Sequence, residues 1–434
     1  MHINLPYGRG KLEGEIEDGR ILAVVRNQNN EENRGMTETE LVQEAVDHPI
    51  GSSPLTELAR GKRRIVILAS DHTRPVPSRV IAPVLLERLR NGSPDSEITF
   101  LIALGCHRKM TKEELIEKFG EEFVKKEKII FHDCDDRKNM VDLGTLPGGG
   151  RLMINRIVAE ADLLLSEGFI EPHFFAGFSG GRKSVLPGIA SRETVYANHC
   201  SAFISDPNAR CGNLEQNPIH RDMAFAAGAA GLRFIVNVVL DSEKKILAAF
   251  AGEPEAAHQA GVKFLETFCK VKVQPAEIVV TTNNGYPLDQ NIYQAVKGMA
   301  AAEPVCREGG VIIMAAACED GAGGAGFYQT FRENRNAGEI LRKIEKVPAS
   351  RTEEDQWQSQ IFARILEKRM VILISKADRR LVKEMHMIPA GSLEEAVDMA
   401  DRILGHPGTI IVITEGVSSI VKPDYPDLEP GGKT

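Results

Sequence analysis

Short runs dense in Val, Ile and Leu recur along the chain, and between them the apolar residues return with a helical period. An apolar run of about four to eight residues reads as a strand buried on both faces, and a period near 3.6 reads as a helix packed on the sheet. Strands are predicted at 64–70, 97–105, 128–132, 162–166 and 233–240, with a second series at 277–282, 310–316, 370–375 and 409–414. Helices are predicted at 78–90, 111–119 and 291–299. The second opens on Thr111-Lys-Glu-Glu, a capping residue with carboxylates in the first turn. This alternation specifies an α/β fold: two Rossmann-like domains with mostly parallel sheets and an active-site cleft between them. The segment 268–276, with CKVKVQPA at its core, reads as a linker, which divides the chain into domains at 1–271 and 272–421. The Pro- and Gly-rich end, 422–434, reads as a flexible tail. No short-period repeat marks a solenoid.

The 434 residues, 42% hydrophobic and 26% charged, exclude wholesale disorder and suffice for two cores. No apolar run reaches the ~18 residues of a membrane-spanning helix. The start, MHINLPYGRGKLEGE, lacks the basic-then-apolar layout of a secretory leader, so the expected location is the cytoplasm, away from membranes. Lys and Arg total 53 against 61 Asp and Glu, a net charge of −8, which argues against a nucleic-acid partner. A local basic pocket for a small anion remains compatible with that balance. Seven cysteines, with no Cys-x-x-Cys, supply neither a disulfide framework nor a structural zinc site and read as reduced, small apolar fillers.

Ligands of open α/β sheets bind outside the carboxyl ends of the strands, so the residues after each strand matter most. After 64–70 comes Asp71-His72-Thr73-Arg74-Pro75, and after 97–105 comes Cys106-His107-Arg108-Lys109. After 162–166 comes EGFIEPHFFAGFSGGRKSVLPG, with Glu171, His173, Gly180, Gly181, Arg182 and Lys183. After 277–282 comes NNGYPLDQNIYQAVKGM, with Tyr293, Gln294 and Lys297. Each has a plainer reading. The Asp-His-Thr-Arg-Pro stretch can cap the next helix. His107 and His199, taken singly, read as a surface residue and a satisfied polar residue, and their cysteine neighbours form no compact zinc-ligand set. Tyr293, Gln294 and Lys297 share a helix face that either is solvated or converges on a small anion.

The glycine-rich stretch approaches a phosphate-binding P-loop, but Arg182 interrupts the Gly-Lys-Ser order, which excludes ATP hydrolysis by that motif. GFIEPHFFAGFSGG is too apolar for a solvated turn, so the inference is a buried, cationic, glycine-lined pocket. A lysine beside Arg182 in such a pocket has a lowered pKa and acts as a nucleophile toward a carbonyl-type carbon.

Together, SDHTRPVPS (70–78), GCHR (105–108), EPHFFAGFSGGRKSVLPGIAS (171–191), ANH (197–199) and NNGYPLDQNIYQAVKGMAAAE (283–303) resemble the nickel-dependent lactate racemase family. The likeness extends through Trp357 and covers nearly the whole chain. It implies a nickel-pincer nucleotide, a pyridinium mononucleotide bearing a thioamide and a thiocarboxylate, attached covalently at Lys183 in the N-terminal domain. Nickel held by S, C and S takes His199 as its fourth ligand, a near-square set that suits Ni(II). The resemblance further implies His107 and His173 as catalytic bases, with Arg74, Gln294 and Lys297 at or beside the substrate carboxylate. Tyr293 and Trp357 belong to the substrate pocket and Asp71 to the cofactor pocket.

The implied activity is that of an isomerase interconverting D- and L-lactate by reversible hydride transfer through a 2-oxo acid. Two bases on opposite sides serve the two enantiomers. The enzyme depends on cofactor-making enzymes in the cell. Cys106 departs from the Thr or Phe that members tend to carry before the histidine. Packing of Cys106 against the sheet keeps lactate as the leading substrate, and a larger 2-hydroxy acid is the alternative. Two other readings compete: a conventional metal hydrolase using His107, His173 and His199, and a non-catalytic carrier or sensor of the nickel cofactor. A carrier needs Lys183 and His199 but no base pair, so the presence of both His107 and His173 favours the racemase.

Overall fold

The computed structural model describes residues 1–27 and 35–425. They form two compact units, one holding residues 35–267 with Ala349–Thr352, the other residues 1–27, Phe268–Pro348 and 353–425. Each unit is built on its own six-stranded sheet.

In the first unit the strands lie in the order Ile246–Gly252, Leu232–Leu240, Leu163–Phe169, Arg64–Ser70, Glu97–Ala103, Lys128–Phe131. All pair in parallel except the antiparallel edge strand Ile246–Gly252. The sequences RIVILAS and LLLSEGF are buried along almost their whole length, as strands covered on both faces must be. The helix Ser78–Gly92 lays Ile81, Leu85 and Leu89 on Ile65, Ile67 and Phe100, one apolar stripe on one sheet face. The chain runs outward from Arg64–Ser70 to Lys128–Phe131, then jumps back to Leu163–Phe169. Strand order therefore reverses between Arg64–Ser70 and Leu163–Phe169, where a doubly wound sheet opens a ligand crevice.

The second unit orders its strands Ile388–Ala390, Met370–Ile374, Cys306–Ala315, Ala276–Thr282, Ile410–Ile413, Ile21–Val25, all in parallel. Its core joins Ile278, Val280, Ile313 and Val412 to Leu393 and Ala396 of the helix Leu393–Leu404. Here the order reverses between Ala276–Thr282 and Ile410–Ile413.

Each of the nine predicted strands is found in these two sheets, but the division of the chain differs from a single cut at 272. Ile21–Val25 pairs with Ile410–Ile413, so the first residues fold with the C-terminal sequence. The run ILAVV is short and mostly half-buried, and nothing local reveals which sheet it joins. The expected linker contains the strand Lys270–Val273, whose KVKV alternation turns lysines outward, and it pairs with Ile420–Pro423. That pairing takes Lys422 and Pro423 out of the expected tail, while residues 426–434 lie outside the described ones. Among the described residues no helix is long and apolar enough to cross a membrane.

Candidate active site

The strands Arg64–Ser70, Glu97–Ala103 and Leu163–Phe169 are neighbours, so the three loops leaving their carboxyl ends emerge side by side. Asp71 follows directly on the first. Its Oδ1 accepts from the Thr73 backbone N–H at 2.9 Å and from the Thr73 hydroxyl at 2.5 Å, and its Oδ2 lies 2.6 Å from Nδ1 of His107. This carboxylate does not cap the following helix, which starts after Pro77 without a side-chain cap bond. Burial drives the Asp71 carboxyl toward its neutral form, but His107, Thr73 and Arg74 outweigh it and hold the group well below the ordinary carboxylate range. A charged carboxylate on Nδ1 keeps the His107 proton there and leaves the lone pair on Nε2. Asp71 is only 2% exposed and His107 45%, so the pair is anchored at one end and open at the other. Arg74, half-buried, donates from Nη1 to the Thr73 hydroxyl at 2.9 Å, whereas Arg108 is engaged by Glu114 at 2.6 and 2.8 Å.

The third loop turns back on itself, Pro172–His173 pairing antiparallel with Gly177–Phe178. Phe175, between them, gathers residues distant in sequence. Its ring centroid is 4.6 Å from that of His173, 5.1 Å from that of His199 and 5.8 Å from the Lys183 Nζ. Nδ1 of His173 accepts from the Ala176 backbone N–H at 3.3 Å, which leaves the proton of the neutral ring on Nε2. Gly180 sits at φ +81°, and a Cβ there would stand 2.6 Å from the Asn237 Oδ1 and 2.9 Å from the Phe169 carbonyl oxygen, so only glycine fits. The Asn237 Oδ1 accepts instead from the Gly181 N–H at 2.7 Å.

Arg182 is buried and holds this loop from beneath. It donates to the carbonyl oxygens of Ala176 at 2.9 Å and Gly180 at 3.2 Å and to Nδ1 of His220 at 2.9 Å, and its Nη1 lies 3.0 Å from Nε2 of His258. Burial lowers the guanidinium to about 9. Burial, and then Arg182, push His220 down to about 4 and His258 to about 3, so both rings stay neutral beside it. Neither histidine carries a sequence signal, because each lies in a helix far along the chain and only the tertiary fold brings it here.

His199 ends the helix Arg192–Asn198, whose first turn is capped by the Ser191 Oγ accepting from the Thr194 N–H at 3.3 Å. The His199 N–H donates to the Val195 carbonyl at 2.9 Å. Burial, with the Lys183 charge second, pushes its ring to about 3, so the imidazole is neutral, the form that binds a metal. Among the described residues no three His, Cys, Asp or Glu side chains converge as a metal site, so His107, His173 and His199 are not a hydrolase-type ligand set.

In the other unit, Asn291 caps the helix Ile292–Ala302, its Oδ1 accepting from the Gln294 N–H at 3.0 Å. Tyr293, Gln294 and Lys297 are half-buried on that helix. The Tyr293 hydroxyl donates to the Asp355 Oδ1 at 2.8 Å and also bonds to Trp357. Burial and then Asp355 raise Tyr293 far above an ordinary phenol, so it stays neutral. The Gln358 amide donates to the Tyr293 carbonyl, tying the helix Gln356–Lys368 to the same residue.

A family model of the lactate racemase N-terminal domain matches residues 7–212, and one of the lactate racemase C-terminal domain matches residues 271–421. The lactate racemase of Thermoanaerobacterium thermosaccharolyticum is 50% identical over 422 residues, 97% of this chain and 99% of that protein. The lactate racemase of Lactiplantibacillus plantarum is 50% identical over 421 residues, with the same shares covered. The solved structure of the T. thermosaccharolyticum lactate racemase apoprotein superposes with a TM-score of 0.95, covering 97% of this chain and 100% of that one. A solved protein from Thermotoga maritima, 19% identical, shares the fold with a TM-score of 0.67 over 89% of this chain and 98% of its own. With matches of this length in both halves, the chain belongs to the lactate racemase family.

Proposed function

We propose that this isomerase interconverts D- and L-lactate by moving the α-hydrogen as hydride, with His107 and His173 handling the hydroxyl proton. The observation that carries the reading is the opposite wiring of the two histidines. Nδ1 of His107 faces a buried carboxylate, so its Nε2 holds a lone pair, whereas Nδ1 of His173 accepts a backbone N–H, so its Nε2 holds a proton. One ring offers a lone pair that can take the hydroxyl proton, while the other offers an N–H that can hold an oxygen by a hydrogen bond. A racemase needs both states, because the two enantiomers present opposite sides to the reacting groups.

The carboxylate of a 2-hydroxy acid resists further negative charge, so the α-hydrogen is a very weak acid, and its removal as hydride avoids the carbanion and leaves a 2-oxo acid. The residues fit the nickel-pincer nucleotide that the family resemblance implies. The Lys183 amine and the neutral His199 ring stand against the same Phe175 ring, and Gly180 and Gly181 keep the adjoining loop free of side chains. Lys183 would carry the covalent link and His199 would bind nickel. When bound, the group supplies a reversible hydride acceptor.

The remaining roles fall to the chain's own side chains. Asp71 orients His107 through its contact with Nδ1. Among the side chains that the resemblance assigns to the substrate, Arg74 offers a guanidinium, and Lys297 and Gln294 offer an ammonium and an amide. Tyr293 and Trp357 hold one another beside Gln294 as neutral pocket residues. The test is a chiral assay started from each lactate enantiomer, on protein co-expressed with the cofactor-making enzymes, with nickel content and intact mass read on the same sample. The expected result is interconversion in both directions with nickel and added mass on Lys183. Nickel and added mass without lactate turnover would move the substrate to a larger 2-hydroxy acid, and neither nickel nor added mass would overturn the cofactor reading.

A further inference from the structure

Cys106 stands immediately before His107, and the sheet brings a second thiol to it. Glu97–Ala103 and Lys128–Phe131 pair in parallel with Ile102 opposite Phe131, and the His132 N–H donates to the Ile102 carbonyl at 3.1 Å. The two strands therefore end level. Cys106 lies four residues past Ile102 and Cys134 three past Phe131, and the two thiols are near enough to act on each other's acidity. Cys134 is buried and Cys106 half-buried, so a small oxidant has one way in.

The two sides of the pair differ in freedom. Cys134 is pinned: its carbonyl accepts from the Arg192 N–H at 3.1 Å, and the Arg192 guanidinium grips the neighbouring Asp135 carboxylate at 2.7 and 2.8 Å. Cys106 sits inside a one-turn hairpin closed by the His107 N–H on the Leu104 carbonyl at 2.9 Å. Gly105, at φ +56°, donates its N–H to the Gly188 carbonyl at 2.9 Å. The Cys106 thiol, and after it the Arg192 charge, hold the Cys134 thiol below its ordinary value against the opposing effect of burial.

We propose that Cys106 and Cys134 are a redox modification site, closing to a disulfide under peroxide and reopening with thiol reductants, and that closure disables His107. In the first step a thiolate attacks a peroxide oxygen, the O–O bond breaks, and the sulfur becomes a sulfenic acid as hydroxide leaves. The second sulfur then attacks the first, the S–S bond forms, and the sulfenyl oxygen leaves with the remaining protons as water. Two thiols are oxidised, one peroxide is reduced to two waters, and the thiol protons end in those waters. A thiol reductant reverses the change by exchange. Bonding requires the sulfurs to close to about 2.05 Å. Because Cys134 is held, Cys106 moves, and the short turn passes that movement to His107 and its 2.6 Å contact with Asp71.

The consequence for turnover rests on the role of His107 proposed above, so the test reads chemistry and activity separately. Holoenzyme is treated with hydrogen peroxide, remaining thiols are alkylated, and peptides are mapped alongside the chiral lactate assay. A peptide linking Cys106 to Cys134 is expected, with racemisation falling on the order of 10²-fold and returning with dithiothreitol. Cys134→Ser, and separately Cys106→Ser, should keep the basal rate and lose only the reversible part of the response, since any direct damage to the cofactor is common to all three proteins. Absence of the linked peptide, an unchanged rate once it has formed, or the same reversible loss in Cys134→Ser would each overturn the proposal. Wild-type protein with no lactate turnover at all would overturn the functional reading, and the peptide map would still decide whether the disulfide forms.

Discussion

Both sheets reverse their strand order beside a central strand, Arg64–Ser70 in one unit and Ala276–Thr282 in the other, yet different chemistry follows the two strands. Past Ser70 and its neighbours come Asp71, His107, His173 and Lys183, ionisable groups held by buried partners or packed on one aromatic ring. Past Thr282 the polar side chains are taken up by the fold itself. The Thr282 hydroxyl donates to the Thr414 carbonyl at 2.8 Å, the Asn283 Oδ1 accepts from the Gly298 N–H at 3.0 Å, and the Asn284 amide donates to the Ser418 hydroxyl at 2.7 Å. A Cβ on Gly416 would stand 2.4 Å from the Thr282 carbonyl oxygen, so this crevice is filled by neutral hydrogen bonds and close backbone contact. The topology offers the same opening twice, and the residues at its mouth decide which one carries reaction chemistry.

Removing the paired histidine should separate the units most sharply. His107→Ala is expected to lower racemisation by about 10²- to 10⁴-fold while the mass on Lys183 stays unchanged. Asp71→Asn should give a smaller loss in the same direction, because it removes the anchor and leaves the ring. His406→Ala in the other unit, an exposed histidine 2.9 Å from Glu277, should leave the rate unaltered. Equal effects of His107→Ala and His406→Ala would end the distinction.

A middle-sized effect is expected on the helix Ile292–Ala302. Lys297→Ala should raise the KM for lactate by roughly ten- to a hundredfold, the range of one charge-assisted hydrogen bond, with a smaller change in kcat. A loss confined to kcat would give Lys297 a part in the chemical step and weaken the contrast.

Acid should bring out the smallest difference. Burial holds His132 at about 4 and His258 at about 3, both below the 6.5 of an unfolded chain. The unfolded state then binds more protons, so stability is full above about 6.5 and falls as pH drops toward those values, by about 1.4 kcal/mol per pH unit for each such histidine. All three fully buried histidines among the described residues, His132, His199 and His258, lie in the unit of residues 35–267. Hydrogen exchange on cofactor-free protein at pH 7 and pH 5 should therefore show that unit opening first, and equal loss of protection in both would contradict it.

The central strands were legible because each carries a short apolar run rich in Val, Ile or Leu, of the kind a covered sheet accommodates. Three of the four edge strands of these sheets were not. Ile388–Ala390 is three residues long and contains a proline, Ile246–Gly252 has three alanines among its seven residues and is half-buried through its middle, and Ile21–Val25 joins a partner nearly four hundred residues away. In the site, the loops after the strands announced themselves by ionisable residues where apolar ones would serve packing better. Phe175, His220 and His258 did not, since an aromatic or a helix histidine is ordinary until the fold sets it against Lys183 or Arg182. Asp71 was visible as a site residue, but its bond to His107 spans two loops and exists only in three dimensions.

The most direct test of the proposed chemistry is racemisation of lactate carrying deuterium at C2, run in ordinary water. Hydride transfer predicts inverted lactate that retains its deuterium, because the label passes between carbon atoms and never meets solvent. Inverted lactate that has exchanged its deuterium for solvent hydrogen would mean that the α-hydrogen left as a proton, and would contradict the mechanism built on His107 and His173.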